Sequence, residues 1–177
     1  MCGIFAYLSN TNIEQNELET IYREGLKCRP RGPDNTVVRS INNNFMMFHR
    51  LKINDTSDLG NQPLTHPDDF NLTLMCNGEI YNFKKLISEN KFNTKSNSDC
   101  EVILHMYKKY GIKKTIHSLD GVFAFILIDS NINKIYIGRD PIGIRSLYIG
   151  ETPDKQLSIA SECKCLTEIC SHIEAFP

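Results

Sequence analysis

An α+β fold, with antiparallel sheets and helices packed outside them, is what the order of patterns along the chain predicts. Three observations carry it. Strand-like and helix-like stretches come in blocks rather than in strict alternation, which argues against a parallel βαβ sheet. Asn42-Asn43-Asn44 and Asp129 to Asn133 each separate two strand-like runs by a short polar turn, the mark of antiparallel neighbours. The run Val122 to Ile128, VFAFILI, is apolar on both faces, so a strand there has to be covered on both sides.

Each element follows from local pattern. Ile4 to Leu8 reads as a buried strand. Thr11 followed by Glu14 has the spacing of a capping box and would open a helix with Leu18, Ile21, Tyr22 and Leu26 inward, ending before Pro30. Strands are expected at Thr36 to Arg39, Phe45 to Leu51 and Leu72 to Cys76, the first two joined by asparagines that tolerate the left-handed region. Asn93 to Asp99 is polar and reads as a loop. A second helix is predicted from Asp99, with Val102, Ile103, Met106, Tyr107 and Tyr110 on one side and Gly111 as its stop. Val122 to Ile128, Lys134 to Gly138, Leu147 to Ile149 and Leu157 to Ala160 complete the strands.

Composition narrows the function. The 177 residues are 41% hydrophobic and 23% charged, ordinary for one globular domain. Twenty basic against twenty-one acidic residues leave a formal charge of −1, so no basic field points to nucleic acid. No apolar run approaches the ~20 residues that span a bilayer, and MCGIFAYL lacks the positive start of a secretory signal. A cytoplasmic chain with no membrane partner is expected. The seven cysteines are odd in number and scattered, so free thiols are expected. Cys163-x-Cys165, Cys170 and His172 depart from the usual zinc spacing, and no metal is assigned to them.

No phosphate loop, nucleophile elbow or HExxH motif occurs. The informative cysteine is Cys2. Removal of Met1 would leave a thiol and a free α-amine on one residue, and an α-amine titrates near ~7.7–8.0, close enough to neutrality to act as base. A nucleophile served by its own terminal amine needs no histidine. Gly3 behind it allows close approach. Asn77-Gly78-Glu79 offers an amide side chain and a glycine N–H as oxyanion donors, or else a simple Asn-Gly turn. Arg50 could clamp a carboxylate, and Glu79 and Asp99 could hold an ammonium. One cation and two anions about a thiol would suit an α-amino acid.

Read in order, Met1-Cys2-Gly3-Ile4-Phe5, Arg31-Gly32-Pro33-Asp34, His49-Arg50-Leu51, Gln62-Pro63-Leu64, Asn77-Gly78-Glu79-Ile80-Tyr81-Asn82, Ser98-Asp99-Cys100-Glu101 and Gly138-Arg139-Asp140 form a recognisable series. The chain resembles the N-terminal glutaminase domain of glutamine-hydrolysing asparagine synthetases, a class II amidotransferase of the N-terminal nucleophile type. That resemblance implies a four-layer αββα sandwich of two antiparallel sheets and hydrolysis of L-glutamine through a thioester. Residue by residue it implies Cys2 as nucleophile, Asn77 and Gly78 as oxyanion hole, and Arg50 on the substrate carboxylate. Glu79 and Asp99 would take the amino group, while Leu51, Ile53 and Asn54 close over the substrate.

The implied glutaminase step uses no cofactor. ATP and Mg2+ belong to a synthetase domain or subunit, the implied partner, which would turn aspartate into asparagine with the ammonia. The S-G-G-x-D-S pyrophosphate loop of that domain is absent from residues 1–177, so the chain is expected to be a domain of a longer protein, to serve a separate synthetase subunit, or to have ammonia release as its whole activity. A homodimer is a further assembly that the resemblance leaves open. Where the family carries His before R-G-P-D this chain has Pro30, and Ser146 stands where proline is common. Two rivals remain at this level: a glutaminase feeding another acceptor, and a non-catalytic interaction module that kept the fold.

Overall fold

The structure is a computed structural model describing residues 1–177. The chain forms two compact units, one from residues 1–51 and 146–177, the other from residues 52–145.

The first unit is a six-stranded antiparallel sheet made from both ends of the chain. Its strands are β1 (Gly3–Leu8), β2 (Asn35–Ile41), β3 (Asn44–Arg50), β8 (Tyr148–Glu151), β9 (Leu157–Ala160) and β10 (His172–Ala175), in the order β10-β8-β9-β1-β3-β2. β1 is central, pairing Gly3 with His49 on one side and Phe5 with Ala160 on the other. Every residue of β1 and of β3 is buried, so neither strand shows the in–out alternation of a half-exposed sheet. Phe5, Tyr7, Phe45 and Met47 share one face and pack with Ile21 and Leu18 of helix α1 (Gln15–Leu26).

That helix begins later than the Thr11–Glu14 spacing implied. Thr11 is taken by a local turn, its N–H donating to Ser9 Oγ at 3.1 Å, and Glu14 is the N-cap without a side-chain cap bond. Ile21 is inward as expected, whereas Tyr22 is 44% exposed. The helix stops ahead of Pro30, which opens a 3-10 turn at Arg29–Arg31. The asparagine turn forms as expected: Ile41 pairs with Asn44, and Asn42 takes φ 53°.

The second unit is a four-stranded antiparallel sheet, β4-β5-β6-β7. β4 (Leu64–His66) is short, β5 (Asp69–Ile80) long, and β6 (Gly121–Asp129) and β7 (Lys134–Arg139) form the expected hairpin. β5 and β6 stay in register from Leu72↔Asp129 to Ile80↔Gly121. This carries Asn77-Gly78-Glu79 inside the strand, so the simple turn reading of that tripeptide is wrong. Phe123, Phe125 and Leu127 of β6 meet Leu104, Val102 and Ile103 of helix α3 (Val102–Ser118), while Ala124, Ile126 and Ile128 are buried too. Gly111, with φ 74°, breaks α3, and a further helical segment runs on to Ser118, so glycine there is a kink and not a stop. Tyr110, read as inward, is 43% exposed. A helix that periodicity did not flag, α2 (Phe83–Asn90), buries Leu86 in the same core.

Both units are antiparallel sheets with helices, the predicted α+β class. No helix is long and apolar enough to cross a membrane.

Candidate active site

In the first unit the sulfur of Cys2 lies against Leu51. Leu51 N–H donates to Cys2 Sγ at 3.4 Å, and the thiol faces Leu51 O at 3.6 Å. Leu51 directly follows β3, which pairs with β1, so the sheet register fixes that contact. From the other side Arg31 Nε donates to Cys2 O at 2.9 Å, and Glu162 accepts from Arg31 Nη1 at 3.4 Å. Burial acts to raise the Glu162 carboxyl, but Lys164 and Arg31 together hold it below its usual range.

The R-G-P-D run is explained by this packing. A Cβ on Gly32 would lie 2.2 Å from His49 O and 2.6 Å from Arg50 C, closer than any side chain tolerates. Glycine lets the loop press on the end of β3 while Arg31 reaches Cys2. Gly3 is likewise a packing residue: its added Cβ would stand 2.9 Å from Cys28 O. Arg50 ends β3 and is 5% exposed, with its carbonyl accepting Asp34 N–H at 3.0 Å.

His49 is the imidazole beside these groups, and it is committed elsewhere. Nε2 lies 2.9 Å from Gly25 O and Nδ1 2.8 Å from Thr36 Oγ1. A carbonyl can only accept, so Nε2 carries the proton and Nδ1 accepts from the threonine hydroxyl. Burial also keeps the ring neutral, pushing its pKa down. His49 is a structural histidine.

In the second unit Asn77, Gly78 and Glu79 lie on the last third of β5. Asn77 is 2% exposed, and its Nδ2 is a buried donor with no acceptor. Native structures leave few such groups, and each asks for an explanation. The backbone just before it is clamped by Gln62: Cys76 N–H donates to Gln62 Oε1 at 2.6 Å, and Gln62 Nε2 donates to Cys76 O at 2.9 Å. The side-chain amide thus imitates a neighbouring strand where β4 has not yet begun. Gly78 is packed so close to β6 that a Cβ would meet Val122 O at 2.4 Å.

Asp99 is buried at 4% exposure and accepts from Asn54 Nδ2 at 2.8 Å and from Ile80 N–H at 2.6 Å. It therefore ties the 52–61 segment to the end of β5. Glu79 is half exposed and pairs with Arg145 at 3.1 Å. Arg145 is presented by a loop that Asp140 gathers, accepting from the amides of Phe123, Ile142, Ile144 and Arg145. Burial would raise the Asp140 carboxyl, yet these amides hold it below its usual range. Ile53 is 62% exposed.

The structure thus assembles Cys2, Leu51 and Arg50 in one unit, and Asn54, Asn77, Gly78, Glu79 and Asp99 in the other. Sequence reading gave no role to Arg31, Glu162, Gln62 or Arg145. Arg31 and Gln62 stand in visible motifs, but the partners of the four lie 14 to 131 positions away, where no spacing reveals them. The Cys163, Cys165, Cys170 and His172 set is not gathered; Cys28, Glu162 and Cys165 are the group of metal-type ligands that converges.

Comparison with known proteins agrees with this architecture. The family model of the glutamine amidotransferase domain matches residues 1–175. The chain is 39% identical to an asparagine synthetase [glutamine-hydrolyzing] of Brassica oleracea over 180 residues, covering 100% of this chain and 30% of that protein. The corresponding figures for asparagine synthetase [glutamine-hydrolyzing] 1 of Arabidopsis thaliana are 38%, 100% and 30%. For the Sandersonia aurantiaca enzyme of that name they are 37%, 100% and 33%. The chain therefore spans about a third of the length of these relatives. Among solved structures, the glutamine phosphoribosylpyrophosphate amidotransferase of B. subtilis shares the fold, with TM-score 0.72 at 22% identity, over 94% of this chain and 43% of that one.

Proposed function

We propose, from the premise that the chain belongs to the glutamine amidotransferase domain family, that it hydrolyses L-glutamine to glutamate and ammonia. The observation that carries this reading is the orphaned Nδ2 of Asn77. A donor buried without an acceptor costs stability, and an oxyanion formed only during reaction would give it one.

In this reading, loss of Met1 frees the Cys2 amine. The amine, directly or through one water, takes the thiol proton as the sulfur attacks the amide carbon. Asn77 Nδ2 and the Gly78 N–H receive the negative oxygen. The amine returns its proton to the leaving nitrogen, ammonia departs, and water opens the thioester by the same route. Leu51 can serve both forms of the sulfur, its N–H donating to Sγ and its carbonyl facing the thiol. Arg31, on the Cys2 carbonyl, keeps the residue seated while its amine exchanges protons. Arg50 binds the substrate carboxylate, and Glu79 and Asp99 bind its ammonium. Leu51, Ile53 and Asn54 cover the substrate. The commitment of both His49 nitrogens supports a base that is not imidazole.

The ammonia is used, in the same reading, by a synthetase portion that converts aspartate to asparagine with ATP and Mg2+. The names carried by the longer relatives support this over another acceptor. A cytoplasmic setting, where free thiols persist, belongs to the same account.

Glutamate release by the purified chain tests it, together with the intact mass. Turnover should require loss of Met1 and vanish in Cys2→Ala. Full activity with Met1 retained, or in Cys2→Ala, would overturn the mechanism.

A further inference from the structure

Two cysteines that the glutaminase reading leaves idle lie side by side. Cys28 precedes the Arg29–Arg31 turn and Cys165 ends the Cys163–Cys165 turn, yet their Sγ atoms are 3.1 Å apart across 137 positions of sequence. Both residues are 0% exposed. A disulfide bond is ~2.05 Å long, so a movement of about 1 Å would join them. The two turns are already fastened nearby: Glu24 of α1 accepts Glu168 N–H at 3.1 Å, and Glu168 pairs with Arg23 and Lys27.

We propose that Cys28 and Cys165 are a dithiol that hydrogen peroxide converts into an intramolecular disulfide, a covalent modification site set against β1, the strand that directly follows Cys2. Cys28 Sγ lies 3.8 Å from Ile4 O, and Arg31 N–H donates to Cys28 O at 3.0 Å. The bond would therefore pin the turn that holds the Cys2 carbonyl.

Charge separates this reading from a metal site. The Glu162 carboxylate is within 4.8 Å of both sulfurs, which by itself would suit a thiophilic cation. But Arg31 and Lys164 already occupy it, at 3.4 and 2.8 Å, and place two fixed positive charges where the ion's charge would fall. The thiol of Cys165 donates to Cys28 and holds it below its usual range, against burial and the nearby Glu162 carboxylate, with a smaller contribution from Arg31. Giving that bond, together with burial, keeps Cys165 protonated.

The chemistry balances. The Cys28 thiolate attacks one peroxide oxygen and the O–O bond breaks. Hydroxide leaves, takes up the proton that Cys28 had released and becomes water, while Cys28 becomes a sulfenic acid. The Cys165 sulfur then attacks the Cys28 sulfur, the S–O bond breaks, and the oxygen leaves with the thiol proton as a second water. Two thiols lose two electrons in all, and peroxide gains them. Both sulfurs are buried, so peroxide would reach them as the short Cys163–Cys165 turn, whose first residue is exposed, opens locally.

The test is a peptide map of the whole chain. The reduced protein is treated with a few equivalents of hydrogen peroxide, its remaining thiols are alkylated, and it is digested without reductant. A Cys28–Cys165 cross-linked peptide should dominate the linked species and disappear with dithiothreitol. The oxidised chain should also melt several degrees higher, because the bond closes a long loop. Cys165→Ala should lose both the linked peptide and the shift. The proposal fails if Cys28 reaches sulfinic acid without the link. It fails equally if peroxide joins other pairs in preference, or if the reduced chain retains a zinc ion that Cys28→Ala releases. The wild-type map alone decides the matter if the variants do not fold. It is read without turnover, so it stands or falls separately from the glutaminase assignment.

Discussion

Replacing Asn77 by alanine should damage catalysis and spare stability, an uncommon pairing for a residue 2% exposed. A satisfied core amide, when truncated, leaves its partners unpaired and costs stability. Asn77 Nδ2 has no partner to strand. The resting protein already bears the desolvation cost of that donor, ~1–3 kcal/mol, and alanine relieves it. The few lost packing atoms offset part of the gain, so the net change should fall within about 1 kcal/mol of zero, on the stabilising side. An oxyanion donor, by contrast, is worth ~10²–10³ in turnover, or ~2.7–4 kcal/mol of transition-state binding. Because the donor acts on charge that develops only during reaction, the KM for glutamine should move little while kcat falls. Urea denaturation of Met1-free protein gives one number, and glutamate release against glutamine concentration gives the other. A turnover loss below about threefold would remove Asn77 from the oxyanion hole. A stability loss above about 2 kcal/mol would mean that the amide is satisfied after all.

Other substitutions separate binding, scaffolding and charge. Arg50→Ala should raise the glutamine KM strongly with a smaller effect on kcat, and an unchanged KM would withdraw Arg50 from the carboxylate. Gln62→Leu strands both Cys76 N–H and Cys76 O, and at roughly 1–3 kcal/mol for each buried group it should lower the urea midpoint clearly; an unmoved midpoint would show that the clamp is dispensable. Asp140 is held below its usual carboxyl range, so its contribution to stability is complete above the unfolded value of ~3.9 and drains away as pH falls through the lower folded value. Asp140→Asn should therefore cost more at pH 7 than in acid, and an equal cost at both would deny that the charge matters.

Much of the fold was legible in the residues because local and long-range preferences agreed. Asn42 takes a left-handed conformation just where strands β2 and β3 turn, and Phe123 to Ile128 of the VFAFILI run are buried on both faces of β6. The errors arose where distant pairing overrode a local signal. Asn77-Gly78 has the composition of a turn, but unbroken register with β6 keeps it extended. Thr11 has the spacing of a cap, but Ser9 takes it first. Strand β4 is too short for any period to register, and its neighbour Gln62 completes the edge with a side chain. The roles of Arg31 and Glu162 depend on a contact across 131 positions, which pattern alone does not encode.

The central place of β1 has a consequence for the order of events during synthesis. Phe5 pairs with Ala160, so this strand waits for its second neighbour until nearly the whole domain has been made. At ~5–20 residues per second that interval is on the order of ten to thirty seconds. Through it the newborn N-terminus stays open to whatever trims the initiator. Only afterwards does β9 pair with β1 along Phe5 to Leu8.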